Sequence, residues 1–310
     1  MDVSVIIPAR NEEFLQQTID SVLSAAKAET EVIAILDGYW PSPGIQDNPR
    51  VTLIHHNESV GQRDGINEAA KISKAKYILK TDAHSMFDEG FDVKLMADCE
   101  YDWTVIPRMY NLDAFHWVCL DPKCGHEHHQ GTDPGKCDVC GYEKLGYRFI
   151  WQPKWKKKTD YMFIDTDLRA KYWQKYRKRG DNNKKKIDEV MNGQGACWFM
   201  HRDRFWDLGG MDNEGHGSWG QMGVEIACKA WLSGGKHVVN KKTWFSHLFR
   251  TQKGFGFPYH QSGRAVENAR KYSRDLWLNN KWPMQKHKFM WLIDKFAPVP
   301  TWEENCNVKA

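Results

Sequence analysis

Asp82-Ala83-His84 sets a carboxylate and an imidazole two residues apart, just after the apolar run Tyr77-Ile78-Leu79. That run reads as a buried strand. Both side chains therefore stand at a strand's end, where one divalent cation can take an oxygen and a nitrogen together. A cation held there would neutralise a diphosphate, the charge that a nucleotide-sugar carries. An isolated triplet of this kind is equally a polar turn, so its weight depends on its surroundings. A second cluster pairs Cys119-x4-Cys124 with Cys137-x2-Cys140, four of the eight cysteines. Gly125 and Gly141 follow the second cysteine of each pair and let backbone amides turn toward the sulfurs. Four thiolates in this spacing predict a closed, structural Zn²⁺ site. His126, His128 and His129 lie between the pairs, and any of them can replace one cysteine. Cys99, Cys197, Cys228 and Cys306 are scattered and read as structural thiols.

With 310 residues, 41 % of them hydrophobic, the chain can build one large α/β domain or two smaller ones. No apolar run reaches the roughly 18 residues of a membrane span. Met1-Asp2-Val3-Ser4 enters a strand pattern without the basic and apolar regions of a secretion signal. The expectation is a cytoplasmic protein with no membrane contact, in a reducing compartment that favours metal over disulfides. The net charge of +4 is unevenly spread: residues 144–186 hold fifteen Lys/Arg and four Asp, which is +11, leaving the remainder near −7. Trp151, Trp155 and Trp173 sit among those cations. Cations neutralise phosphates and aromatic faces stack on bases. A solvated basic face is the plain alternative. Three basic runs beside a zinc insertion predict a polyanionic acceptor, with hydroxymethyl-pyrimidine DNA as the concrete candidate and its target base leaving the stack.

These residues need elements to position them. Val3 to Pro8 reads as a strand, followed by a helix that Asn11 caps, with Glu12 and Glu13 in its first turn. Strands follow at 31–36 and 51–54, a helix at 61–72 and a strand at 77–79. This β-α-β-β-α-β order predicts an α/β layered domain with a mostly parallel sheet flanked by helices. Ligands of such sheets bind beyond the carboxyl ends of the strands, where Asp37 and Asp82-Ala83-His84 fall. Residues 119–140 interrupt the pattern, and a helix is expected near 168–178. A strand at 196–201, a helix at 222–231, short strands at 238–239 and 244–246 and a helix at 262–278 complete the reading. Four segments result: 1–115, a 116–147 zinc-binding insertion, a 148–192 basic aromatic stretch, and 193–310.

Val3-Ser4-Val5-Ile6-Ile7-Pro8-Ala9-Arg10-Asn11-Glu12 resembles the opening of family 2 GT-A glycosyltransferases. Later segments resemble the catalytic domain of the polypeptide N-acetylgalactosaminyltransferases. Asp82-Ala83-His84 is similar to their Asp-Ser-His triplet, Ser246-His247-Leu248-Phe249-Arg250 to their Gly-His-x-Phe-Arg, and Trp219 to Glu225 to their Trp-Gly-Gly-Glu-Asn-x-Glu. Asn268-Ala269-Arg270 through Trp277 resembles their following helix. The resemblance implies a GT-A (nucleotide-diphospho-sugar transferase) fold, a UDP-sugar donor, and Mn²⁺ (or Mg²⁺) on Asp82, His84 and His247. Two imidazoles beside one carboxylate favour manganese, since magnesium prefers all-oxygen shells. Pro8, Arg10, Asp37, Arg63, Asp82, Trp219 and Arg250 would contact the nucleotide-sugar. The family's Glu-Asn pair falls on Met222-Gly223, whose side chains take no proton, which leaves Glu225 and Asp212, with Glu214, as candidate general bases. The glycines of residues 254–258 would let a lid close over the donor.

The implied function is metal-dependent sugar transfer from a UDP-sugar to a hydroxyl of a macromolecule, with hydroxymethyl-pyrimidine DNA as the first acceptor. Protein Ser/Thr or a glycan is the alternative acceptor. A zinc-containing nucleic-acid-binding protein on a degenerate transferase scaffold is the reading from another class.

Overall fold

The structure, a computed structural model, describes residues 1–249 and 263–302; Arg250, the segment 254–258 and Cys306 lie outside the described residues. Strand β1 (Val3–Ala9) is buried along its whole length. Val3, Val5 and Ile7 join the core under helix α1 (Leu15–Ala25), while Ile6 joins the core under α2 (Gln62–Ile72). A strand covered on both faces has no polar side, so it reads as a continuous apolar run. Strands β2 (Thr30–Asp37), β3 (Val51–His56) and β4 (Tyr77–Thr81) complete a parallel half-sheet in the order β4-β1-β2-β3. One expectation fails at its edge. Asn11 does not cap α1 but sits at φ 45° before it, and the Glu12 carboxylate accepts the Phe14 amide at 3.2 Å. In this segment Arg10 and Glu12 line the site and Phe14 packs on the neighbouring ribbon, while Asn11 and Glu13 stay exposed.

After β5 (Ser85–Phe87) and α3 (Phe91–Met96), a long antiparallel ribbon forms from β6 (Trp103–Cys119) and β8 (Leu145–Thr159). Short β7 (Glu127–His129) pairs with β6 at its far end. The expected segment boundaries at 115/116 and 147/148 fall inside β6 and β8, so the insertion is the outer end of this ribbon. Phe14 anchors the ribbon, stacking on Phe115 with ring centroids 6.0 Å apart, and Trp117 packs on Tyr147 at 4.2 Å.

Strands β9 (Met162–Ile164) and β10 (Ala170–Tyr172) form a small ribbon, and Tyr176–Lys178 is a single 3₁₀ turn. The helix expected over 168–178 does not form. Trp173 is only 3 % exposed, its amide binds the Tyr161 carbonyl at 2.9 Å, and its ring lies against Tyr176 and Phe163. Tertiary packing overrides helix propensity here.

The rest of the chain comprises β11 (Ile187–Glu189), β12 (Cys197–His201), α4 (Arg202–Asp207), α5 (Asn213–His216), α6 (Met222–Leu232), β13 (Lys236–His247), α7 (Gly263–Leu278) and α8 (Phe289–Phe296). The full sheet order is β11-β13-β6-β12-β4-β1-β2-β3. Strand β12 runs antiparallel to both β4 and β6, while β13 runs parallel to β6. The carboxyl ends of β4 and β13 therefore meet at one edge. The two short strands expected near 238 and 244 are a single strand with an irregularity between Asn240 and Trp244. Helix α6 is buried on nearly every side, which only an almost wholly apolar helix tolerates. Among the described residues no helix is long and apolar enough to cross a membrane.

Candidate functional site

Sheet topology brings the distant histidine to the triplet. His247 ends β13, and β5 pairs with it so that His247 lies opposite Ser85, next to His84. The Leu248 amide closes the junction on the His84 carbonyl at 3.1 Å. His84 Nε2 lies 3.1 Å from His247 Nε2, and the same His247 nitrogen lies 3.1 Å from Asp82 Oδ2. All three ligand atoms are within 4.8 Å of one another. An octahedron with bonds of about 2.1 Å has edges of about 3 Å, so the spacing suits one divalent cation. Burial lowers the His247 pKa, favouring the neutral ring that ligates metals.

Two residues that the sequence reading passed over hold this cluster. Glu12 Oε2 takes the other ring nitrogen of His84 at 2.9 Å, so Nε2 points inward, as carboxylate–histidine pairs do around metals. Lys80, 1 % exposed, pairs with Asp82 Oδ1 and donates to the Gly195 carbonyl at 2.9 Å. Asp82 thus keeps Oδ2 for the cluster. Burial opposes its charge, yet Lys80 and then His247 hold its carboxyl well below the usual range. A signal for Lys80 was present: it is a cation inside an apolar strand, two residues before Asp82 and so on the same face. Glu12 sits just past the carboxyl end of β1, the neighbour of β4, but only the sheet order shows that they adjoin. Glu12→Gln should weaken metal binding about 10–100-fold, read by Mn²⁺ titration in electron paramagnetic resonance. An unchanged affinity would remove Glu12 from the metal's support.

The cluster opens into a cavity of about 610 Å³, within the size of small-molecule sites. Pro8, Arg10, Asp82, His84, Trp219 and His247 line it, joined by Gln62, Arg169, Gln194 and the start of α6. A Cβ on Gly223 would fall 2.4 Å from the Gly193 carbonyl. Glycine is required there so that α6 can approach the strand-entry segment 193–195. Arg250 lies outside the described residues.

Four expected site residues do not reach the cavity. The Asp37 carboxylate is fully buried and accepts from Ser59 Oγ (2.8 Å), Val60 N (2.7 Å) and Gly61 N (3.1 Å); it shapes the turn into α2. Arg63 is also fully buried, bonded to Glu225 Oε2 at 2.9 Å and donating to the carbonyls of Gly217 (2.9 Å) and Gly220 (2.5 Å). It braces the loop that carries Trp219. Glu225 accepts from Lys229 Nζ and from the Asp212 amide, each at 2.8 Å. Burial alone would raise the Glu225 pKa, but Lys229 and Arg63 override it and hold it at about 2. Asp212 caps α5 through the Gly215 amide at 2.9 Å, and hydrogen bonding from His216 keeps its carboxyl below the usual range. Neither carboxylate is placed to take a proton from an acceptor in the cavity. The type and spacing of these residues look catalytic, but Asp37, Arg63 and Glu225 are enclosed by their partners, and Asp212, 26 % exposed, is engaged in the α5 cap and does not line the cavity.

The four cluster cysteines converge. Cys119 Sγ lies 3.6 Å from Cys140 Sγ, and Cys124 Sγ lies 3.8 Å from Cys137 Sγ. Four thiolates about 2.3 Å from a tetrahedral ion are about 3.8 Å apart. Gly125 (φ 56°) and Gly141 (φ 76°) close the two knuckle turns in left-handed geometry. His126 and His128 stand outside this set, beside Asp138. The basic stretch is partly consumed by the fold. Arg179 covers Trp173 and donates to the carbonyls of Phe296, Ala297 and Pro298, and Lys154 pairs with Asp113 at 2.5 Å. Lys156, Lys157 and Trp155 remain exposed on β8.

Residues 4–114 match the family described as Glycosyl transferase family 2. The chain is 24 % identical over 289 residues to the "Putative polypeptide N-acetylgalactosaminyltransferase 13" of Drosophila melanogaster, across 87 % of this chain and 45 % of that protein. Among solved structures, GalNAc-T7 with UDP, GalNAc and Mn²⁺ superposes with a TM-score of 0.62 at 17 % identity, over 90 % of this chain and 49 % of that one. TarS of S. aureus superposes at 0.51 and 12 % identity, over 100 % of this chain and 46 % of that one. The chain thus spans about half the length of the relatives it matches.

Proposed function

We propose that this chain, a GT-A fold carrying a family 2 glycosyltransferase module, transfers a sugar from a UDP-sugar to a macromolecular hydroxyl. The observation that carries the reading is the convergence of Asp82, His84 and His247 at the mouth of a 610 Å³ cavity on the sheet's carboxyl edge. Two imidazoles and one carboxylate suit Mn²⁺, which would act as a Lewis acid on the departing diphosphate. Around it, Glu12 and Lys80 orient the ligand atoms. Arg10 and Arg169 supply positive charge to the cavity wall, and Trp219 offers an apolar face. The four thiols at the ribbon's end would hold a structural Zn²⁺.

A polypeptide Ser/Thr hydroxyl is the first acceptor, in keeping with the printed name of the Drosophila relative. Exposed Lys156, Lys157 and Trp155 on β8 support hydroxymethylated DNA as the second. The test is one mass-spectrometric screen of UDP-sugars with Mn²⁺ against peptides, glycans and hydroxymethyl-pyrimidine DNA. Metal-dependent hydrolysis or transfer is expected. DNA binding without any turnover of donor would replace the enzyme reading with a binding one.

A further inference from the structure

The ribbon end holds another set of ligand atoms that the four-thiol cluster does not use. His126, directly before β7, and His128 within it are two residues apart, and the Cys119 amide on the His126 carbonyl continues the strand pairing, so their rings lie on one face. Glu127 and His129 alternate to the other, where they meet Arg148 at 2.5 Å and Lys154 at 2.9 Å. The facing turn between Cys137 and Cys140 presents Asp138. His126 Nε2 and His128 Nε2 both lie 3.4 Å from the same oxygen, Asp138 Oδ1, and the rings are 4.7 Å apart at 85°.

These distances are poor as hydrogen bonds, which peak near 2.9 Å. His128 Nε2 is buried without a hydrogen-bond partner, and the His128 ring also stands against the Cys137 thiol, at the border of the four-thiol cluster. They are right for a cation: ligand atoms about 2.0–2.1 Å from a tetrahedral ion are about 3.3–3.4 Å apart. We propose that His126, His128 and Asp138 form a second zinc-type site on the ribbon end, distinct from the thiolate site. Electrostatics favours it, and here the argument rests on the zinc reading of the thiolates. Four thiolates around one dication leave a surplus of two negative charges, and Asp138 follows Cys137 directly in the chain. A second dication beside them relieves that charge. It also ties β7 to the knuckle turn. His126 is 39 % and Asp138 69 % exposed, so the fourth coordination position faces solvent and takes water or an anionic group.

The test uses the full chain with Asp82→Ala, which removes the donor-site metal from the count. Native mass spectrometry after zinc loading and desalting should find two zinc ions, falling to one in Asp138→Ala and in His126→Ala. Both substitutions lie at exposed positions, and circular dichroism checks the fold. With Co²⁺, thiolate-to-metal charge transfer should saturate at the first equivalent. The second equivalent should add ligand-field absorption alone, absent from the two variants. One zinc in the parent, unaltered by either variant, overturns this site and leaves the thiolate site standing. No zinc at all overturns both, and two zinc ions retained in Asp138→Ala and His126→Ala overturn this one.

Discussion

Asp82→Ala is expected to abolish metal-dependent donor turnover. Stabilising the leaving diphosphate through a cation contributes several kcal/mol to the transition state, and each 1.36 kcal/mol is tenfold in rate. The loss should therefore reach at least about 10³-fold in kcat. Alanine also strands Lys80, whose ammonium is 1 % exposed and ion-paired to Asp82, so a fall in stability could mimic a fall in activity. Asp82→Asn separates the two. The amide oxygen can still accept from Lys80, but the group facing His247 loses its charge and its best lone pair. Asp82→Asn should thus lower the melting temperature less than Asp82→Ala does, while turnover and Mn²⁺ affinity collapse as fully in both. Turnover surviving in Asp82→Asn would show that the cluster of Asp82, His84 and His247 does not hold the metal that acts on the donor.

Arg63→Ala should destabilise the fold by about 3–5 kcal/mol, the cost of breaking a buried ion pair, and lower Tm on the order of 10 °C. It removes a fork that binds Glu225 Oε2 and two loop carbonyls at once, so Arg63→Lys should recover little. The pH dependence follows from Glu225. Its pKa is held at about 2 against an ordinary 4.5, so the folded state favours the ionised form. Its contribution is complete above about pH 4.5 and is lost as pH falls toward 2. Urea unfolding at pH 7 and pH 3 should show a larger penalty for Arg63→Ala at pH 7. If Arg63 met the nucleotide instead, KM for the donor would rise with Tm unmoved.

The β-α-β-β-α-β order was legible because strands covered on both faces must be apolar throughout, and Val3 to Pro8 and Tyr77 to Leu79 say so directly. Asp82, His84 and His247 could be singled out by motif order, and the four cysteines by spacing alone. Asp37, Arg63, Glu225 and Asp212 have the same chemistry as site residues and stand close to site motifs. Nothing local distinguishes a carboxylate facing a cavity from one enclosed by Lys229 and Arg63. The helix expected over 168–178 failed for a related reason. Trp173 folds back on Phe163, ten residues earlier, and Tyr176 packs on distant Phe296, and that packing outweighs local preference.

The amino-acid sequence by itself determined the layered α/β core, the two clusters of residues whose types could ligate a metal and the uneven charge, because hydrophobic period, ligand type and spacing are local properties. Tertiary structure alone decided which ionisable groups line the cavity and which are enclosed. Strand order places Glu12 against His84 and His247 beside Asp82, across separations of 72 and 165 residues. Burial turns Arg63 and Glu225 into a brace. A group's role is set by whether its charge meets solvent, a cavity or an opposite charge, and that is fixed only when distant segments pack.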